Sequence, residues 1–199
     1  MRQPVLEILE AIGLRRTTGR LVEPGPGESE LRKILEAAAR APDHGRCRPW
    51  RFIIVPKSGA DGFGAVLESA YLQRCRRTGT PVDPTRRIRE RERVRRTPTF
   101  LVVACCPRLD IPIPAHEQVA AVAAATENLL LAATAFGYGS KWATGPAATD
   151  STVKRALGLG ADDSIVGFVH LGSVAEDSAK PRAREEDIST VVQYWRRAS

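Results

Sequence analysis

The chain has 199 residues, 43% of them apolar, which suffices for one domain with a real core, or one domain with an arm, and excludes a disordered chain. The 30 lysines and arginines against 23 acids give a net charge of +7, which favours anionic partners: phosphate-bearing cofactors, nucleic acid or an acidic surface. Cysteines at 47, 75, 105 and 106, with no C-x-x-C pair and no secretory leader, argue against a disulfide framework or a zinc site and for a reducing cytoplasm.

In chain order, Val5, Ile8, Leu9 and Ile12 recur at helical spacing and predict a first helix. Leu31, Ile34, Leu35 and Ala38 predict a second after the turn-forming EPGPGES. WRFIIV predicts a buried strand ended by Pro56, Phe63, Val66, Leu67 and Ala70 a third helix, and TFLVVACC a second strand. From about His116 to Phe136 the sequence predicts an Ala-rich helix, apolar on most of its surface, with Gly137 and Gly139 placed to end it in a left-handed turn. Its apolar stretch nearly matches a membrane span, but Glu127, Asn128 and several Ala and Thr point to a helix at a core or subunit interface and to no membrane partner. GSKW predicts a short strand, DSTVKRALG a short helix capped by Asp150 with Gly158 past its end, and SIVGFVHLG a third clear strand. From about Ser173 the chain is polar up to ISTVVQYW. With too few apolar residues for a domain of its own, this stretch is expected to pack as an arm on the single domain of residues 1–199 or on a second copy.

Five segments carry candidate chemistry, each beside a plainer reading. RRTTGR, residues 15–20, has three arginines and two hydroxyls suited to phosphate, or it only complements a helix dipole with Gly19 as a cap. DHGRCRPW offers His44, Arg46 and Arg48 with Asp43 as an orienting partner for a flat heteroaromatic ligand, or a solvated loop. GYGSKWATG, residues 137–145, leaves backbone open to close approach, or its glycines only shape a turn. AKPRAR aligns Lys180, Arg182 and Arg184 on one side of an extended segment as an anion site or a solvated basic stretch. RRIRERERVRR, residues 86–96, with seven Arg and two Glu, predicts an exposed helix or mobile segment, as solvated surface or as an active-site flap; no aromatic residue is interleaved for nucleic-acid stacking. Cys105 and Cys106 face opposite sides of a strand and read as buried, inert thiols.

Taken in this order, RRTTGRLV, ARAPDHGRCRPWRFIIV, GYGSKWATG, VKRALGLGADDSIVGFVHLG and KPRAR resemble the FMN-dependent nitroreductase family, in its small bacterial NAD(P)H nitroreductase branch. The resemblance implies an α+β fold with a central, mainly antiparallel sheet flanked by helices. It further implies a homodimer with two flavin sites at the interface and a C-terminal arm, about 173–199, exchanged with the partner. Carried over by position, Arg15, Arg16 and Thr17 match the N-terminal flavin segment, and Arg40 and His44 match loop contacts made chiefly to the other subunit's flavin. Trp142, Ala143 and Thr144 match the segment beside the isoalloxazine, and Lys180 and Arg182 the pair that holds the phosphate. The implied activity is ping-pong hydride transfer from NADH or NADPH through FMN to a nitroaromatic, quinone or similar small-molecule acceptor, with no catalytic side chain and a positioning role for His44. A flavin-binding protein without turnover and a basic nucleic-acid module are the competing readings. The chain departs from the family at His44, Arg46 and Arg48, where many relatives carry Ser and Asn, and at Ala143, where the small branch can have Arg.

Overall fold

The computed structural model describes residues 8–178 and 187–195. In chain order it contains α1 (Ile8–Leu14), β1 (Leu21–Val22), α2 (Glu28–Ala38), β2 (Trp50–Val55), α3 (Ala60–Thr78), α4 (Pro84–Arg91), β3 (Thr99–Cys105), α5 (Ala115–Ala135), β4 (Gly139–Ala143), α6 (Ser151–Ala156) and β5 (Ser164–Val174). The strands form a five-stranded sheet, antiparallel in every pairing, in the order β1-β5-β3-β2. The eleven-residue β5 pairs with β3 along one edge; on the other, β4 pairs with residues 168–172 and β1 with residues 173–174.

Alternation along β3 builds two cores, one on each face of the sheet. Phe100, Val102 and Ala104 meet Phe63, Leu67 and Ala70 of α3 and Val153 of α6. Leu101, Val103 and Cys105 meet Ile34 and Ala38 of α2 and Val122, Leu129, Leu130 and Ala133 of α5. β3 is buried from Phe100 through Cys105, which is why the strand reads as an unbroken apolar run rather than an alternating one.

α5 ends as its glycine foreshadows. Gly137 sits at φ +84°, its N–H donates to the Thr134 carbonyl at 2.8 Å and that of Tyr138 to the Ala133 carbonyl at 2.9 Å, the paired bonds of a Schellman cap. Gly139 has another job. It lies within β4, and a Cβ there would stand 2.7 Å from Leu21 and 2.8 Å from Val174. Its missing side chain lets β1 and residues 17–19 cross closely over the sheet's corner. Less than half of the most apolar stretch of α5, 44%, is buried within the chain, although the helix is long and apolar enough to cross a membrane by composition.

Differences from the sequence reading are local. α1 ends at Leu14, so Gly19 does not cap it. α3 runs on to Thr78, well past its apolar positions, and stops at Gly79 with φ +66°. β1, two residues long, is too short to carry a periodicity. The Arg-rich run begins as a helix because Asp83 caps it, accepting from the N–H groups of Thr85 at 2.8 Å and Arg86 at 3.3 Å, with Pro84 in the first turn.

Candidate functional site

The chain leaving α1 is pinned beside β4. Thr17 bridges Ser140 in parallel register, and the Thr18 N–H donates to the Ser140 carbonyl at 2.8 Å. This places Thr18 and Gly19 next to the exit of β4. Together with Ala143, Thr144 and Gly145 they form one wall of a cavity of about 400 Å³. A Cβ on Gly19 or Gly145 would meet nothing within 4 Å, so both glycines border open space. The floor is Lys141 and His170, cross-strand neighbours on β4 and β5, and the facing wall is Arg86, Arg89, Arg93 and Arg96 with Glu90.

His170 is buried, 6% exposed, with its ring 4.8 Å edge-on from that of Phe100 and its Nδ1 3.3 Å from the Thr97 hydroxyl. Burial above all, then the charges of Arg93 and Lys141, push its pKa down to about 3. The imidazole is therefore neutral and adds no charge to the floor. Arg93 places its guanidinium carbon 4.5 Å from the centre of the Phe168 ring and donates to Glu90 at 3.5 Å and to the Thr144 carbonyl at 3.4 Å. Burial draws its pKa down while Glu90 opposes the shift. Being a guanidinium, it keeps its charge. The result is a concave site with five cations against one carboxylate, of a size within the usual range for ligand pockets.

Of the positions singled out in the sequence, Ala143 and Thr144 line this cavity and Thr17 adjoins it. Trp142 points through the other face of β4: its indole N–H donates to the Val166 carbonyl at 3.2 Å and its ring packs on the α2–α5 core. Gly167 makes room for that ring, since a Cβ there would collide with the indole nitrogen. Arg15 reaches Glu127 of α5 at 3.3 Å, and Arg16 beside it is half-buried. Arg40 is exposed just beyond α2, and His44 Nδ1 lies 2.7 Å from Glu117 of α5. Ten residues of helix separate Glu117 from Glu127, roughly 15 Å, so one chain holds Arg15 and His44 apart. Lys180 and Arg182 lie outside the described residues.

The His44 loop is strained in a way that a mere connection would avoid. Gly45, Arg46 and Arg48 all adopt positive φ, at +69°, +54° and +47°. For the two arginines this costs on the order of 1 kcal/mol each. One Asp43 oxygen accepts from the Arg48 N–H at 2.7 Å; the other is buried without a hydrogen-bond partner among the described residues. Sequence reasoning offered the Arg-rich run as an active-site flap without separating its arginines, four of which face the cavity, and it assigned no role to Lys141 and His170, which face it from β4 and β5. Their signal was present, in a single His within an apolar strand and in the 3, 4, 3 spacing of Arg86, Arg89, Arg93 and Arg96.

Cys105 and Cys106 offer no nucleophile. Cys105 is buried and its pKa pushed up to about 11, chiefly by burial, and burial also raises that of Cys106. No group of three or more His, Cys, Asp or Glu suited to a metal occurs among the described residues.

The nitroreductase family model matches residues 15–173. YdjA of Escherichia coli (strain K12), whose name gives it a provisional assignment as an NAD(P)H nitroreductase, is 32% identical over 168 residues, covering 84% of this chain and 88% of its own. Among solved structures, a nitroreductase-like family protein from Bacillus cereus superposes with a TM-score of 0.77 at 21% identity, covering 98% of this chain and 99% of its own. The FMN and NADPH-dependent nitroreductase NfnB from Sphigopyxis sp. strain HMH superposes with a TM-score of 0.72 at 18% identity, covering 96% and 99%. The antiparallel sheet between two helical layers, with its cavity at the β4 corner, thus sits on a chain that belongs to the nitroreductase family.

Proposed function

We propose that the protein is a cytoplasmic, homodimeric, FMN-dependent NAD(P)H oxidoreductase of the nitroreductase type, acting on small-molecule electron acceptors such as nitroaromatics and quinones. The observation that carries this reading is the cationic cavity at the exit of β4, which Ala143 and Thr144 line and Thr17 adjoins, three of the positions that match the family's flavin-binding segments. Its residues fit the group. Open glycine backbone on one wall accepts a flat ring. When bound, FMN supplies the redox chemistry, passing hydride equivalents from NADH or NADPH to the acceptor.

The chain's own residues bind, orient and exclude water. Arg15, Arg16 and Thr17, with Lys180 and Arg182 from the tail, hold the polyol and phosphate. Ala143 and Thr144 flank the ring, and the Trp142 ring stabilises β4 from behind. Arg40 and His44 reach the site of the second copy, and the His44–Glu117 pair holds the imidazole in a fixed orientation. No side chain is assigned as a base.

The dimer is supported by apolar surface that one chain leaves uncovered. Ile8, Leu9 and Ile12 on α1 and Val119 and Phe136 at the two ends of α5 are exposed, as are Ile188, Val191, Tyr194 and Trp195 in the tail. β2 is an edge strand beside an apolar groove formed by Leu31, Leu35, Trp50, Phe52 and Ile54, a surface suited to a partner's arm. The four free cysteines accord with a reducing compartment. A nucleic-acid role has less support, because three of the seven arginines of 86–96 are tied to acids of α3 and four face the cavity.

Titration of the apoprotein with FMN, followed by fluorescence quenching and by thermal shift, tests the reading. Arg15→Ala and Arg182→Ala are each expected to weaken FMN binding by about tenfold or more, the worth of a charge-assisted contact. Unchanged affinity in both would remove their phosphate role.

A further inference from the structure

The seven arginines of 86–96 divide into two faces. Arg87, Arg91 and Arg95, spaced by four, turn toward α3: Arg87 and Arg91 reach Glu68 at 2.5 and 3.4 Å, and Arg95 pairs with Asp61. These contacts fasten the segment to the body. Arg86, Arg89, Arg93 and Arg96 wall the cavity, Arg86 also packing on Tyr71 of α3.

Within that wall most of the charge is already engaged. Arg86 stacks 5.3 Å from the Tyr71 ring, Arg96 reaches Glu92 at 2.8 Å, and Arg93 is held by Glu90 and the Thr144 carbonyl. Arg89 and, on the floor, Lys141 have no carboxylate partner among the described residues. A solvated basic helix would spread its like charges into water. Here one face is fastened so that the other, with Arg86, Arg89 and Arg96 still exposed, borders a concave space where a bound anion relieves their mutual repulsion. The neutral His170 beneath can donate or accept a hydrogen bond without adding to that repulsion.

We propose that Arg89 and Lys141, backed by Arg86, Arg93 and Arg96, form an anion subsite that selects a carboxylate- or phosphate-bearing molecule to exchange electrons with the cofactor. The inference rests on the flavin reading for the word electrons, but not for the subsite itself, which is built wholly from side chains of this chain. The anionic group can belong to the acceptor or to the phosphate that distinguishes NADPH from NADH, and the two sources are separable by experiment.

The test is calorimetric titration of the purified full-length protein with two pairs of probes, 4-nitrobenzoate against the neutral 4-nitrobenzamide, and NADP+ against NAD+. The proposal predicts tighter binding of the more anionic member of at least one pair, 4-nitrobenzoate or NADP+, by about tenfold or more, and the pair showing it identifies the source. In the Arg89→Gln/Lys141→Gln double variant that preference is expected to vanish while binding of the neutral 4-nitrobenzamide is unchanged. Arg77→Gln, an equal kind of charge loss on the exposed end of α3, is expected to leave it intact. Equal affinities within both pairs, or a preference that survives the double variant, would overturn the subsite. The visible absorbance of the same sample separates the two readings: flavin present without anion preference sinks the subsite alone, anion preference without flavin sinks the flavin reading alone.

Discussion

Removing residues 179–199 is expected to convert a dimer that retains FMN into a monomer that does not. Beyond the cut lie Val191, Tyr194 and Trp195, 79%, 84% and 86% exposed on their own chain. Side chains of this kind are worth roughly 1.5–3 kcal/mol each when fully buried, before the cost of ordering the arm. The cut also removes Lys180 and Arg182, so two losses coincide. They are separable. In Tyr194→Ser/Trp195→Ser the cations remain, so sedimentation should show the loss of dimer while FMN added in excess still binds weakly. In Lys180→Ala/Arg182→Ala the dimer should persist with FMN affinity lowered. A truncated protein that stays dimeric and yellow would refute the exchanged arm.

The second large effect is on acid stability and centres on His170. Its pKa in the folded chain is about 3 against an ordinary value of 6.5. Below pH 6.5 the unfolded chain takes up a proton that the folded one refuses, so stability is fully present above 6.5 and falls as the pH drops toward 3. The loss amounts to on the order of 4 kcal/mol at the lower end. His170→Gln has no such proton to bind. Urea midpoints measured from pH 7 down to 4 should therefore fall less steeply in the variant than in the parent, whatever the absolute difference at pH 7. Parallel curves would mean that the imidazole is not held neutral.

Much of the fold was legible because its strands are unambiguous runs. WRFIIV and SIVGFVHLG lie within β2 and β5, and TFLVVAC becomes β3, buried on both faces. The Asp150 and Gly158 signals bracket α6 as read, with the Asp150 carboxylate accepting from Thr152 N–H at 2.9 Å and Gly158 at φ +68°. The site was less legible, for a physical reason. Its walls come from segments distant in sequence, and which side of β4 faces the cavity depends on pairing with β5 rather than on local pattern. The resemblance matches Trp142 by position to the segment beside the isoalloxazine, whereas register puts Lys141 and Ala143 on the cavity side and turns the indole inward. The Arg-rich run looked undivided until α3 supplied Glu68 and Asp61 to one face of it.

The central claim is electron transfer from a dinucleotide through FMN held at the β4 corner, and anaerobic addition of NADH or NADPH to the FMN-loaded protein tests it most directly. The account predicts bleaching of the flavin's visible absorbance by at least one dinucleotide and its return when a nitroaromatic or quinone is added. Bound FMN that neither dinucleotide bleaches would contradict the oxidoreductase and leave a protein that only binds flavin.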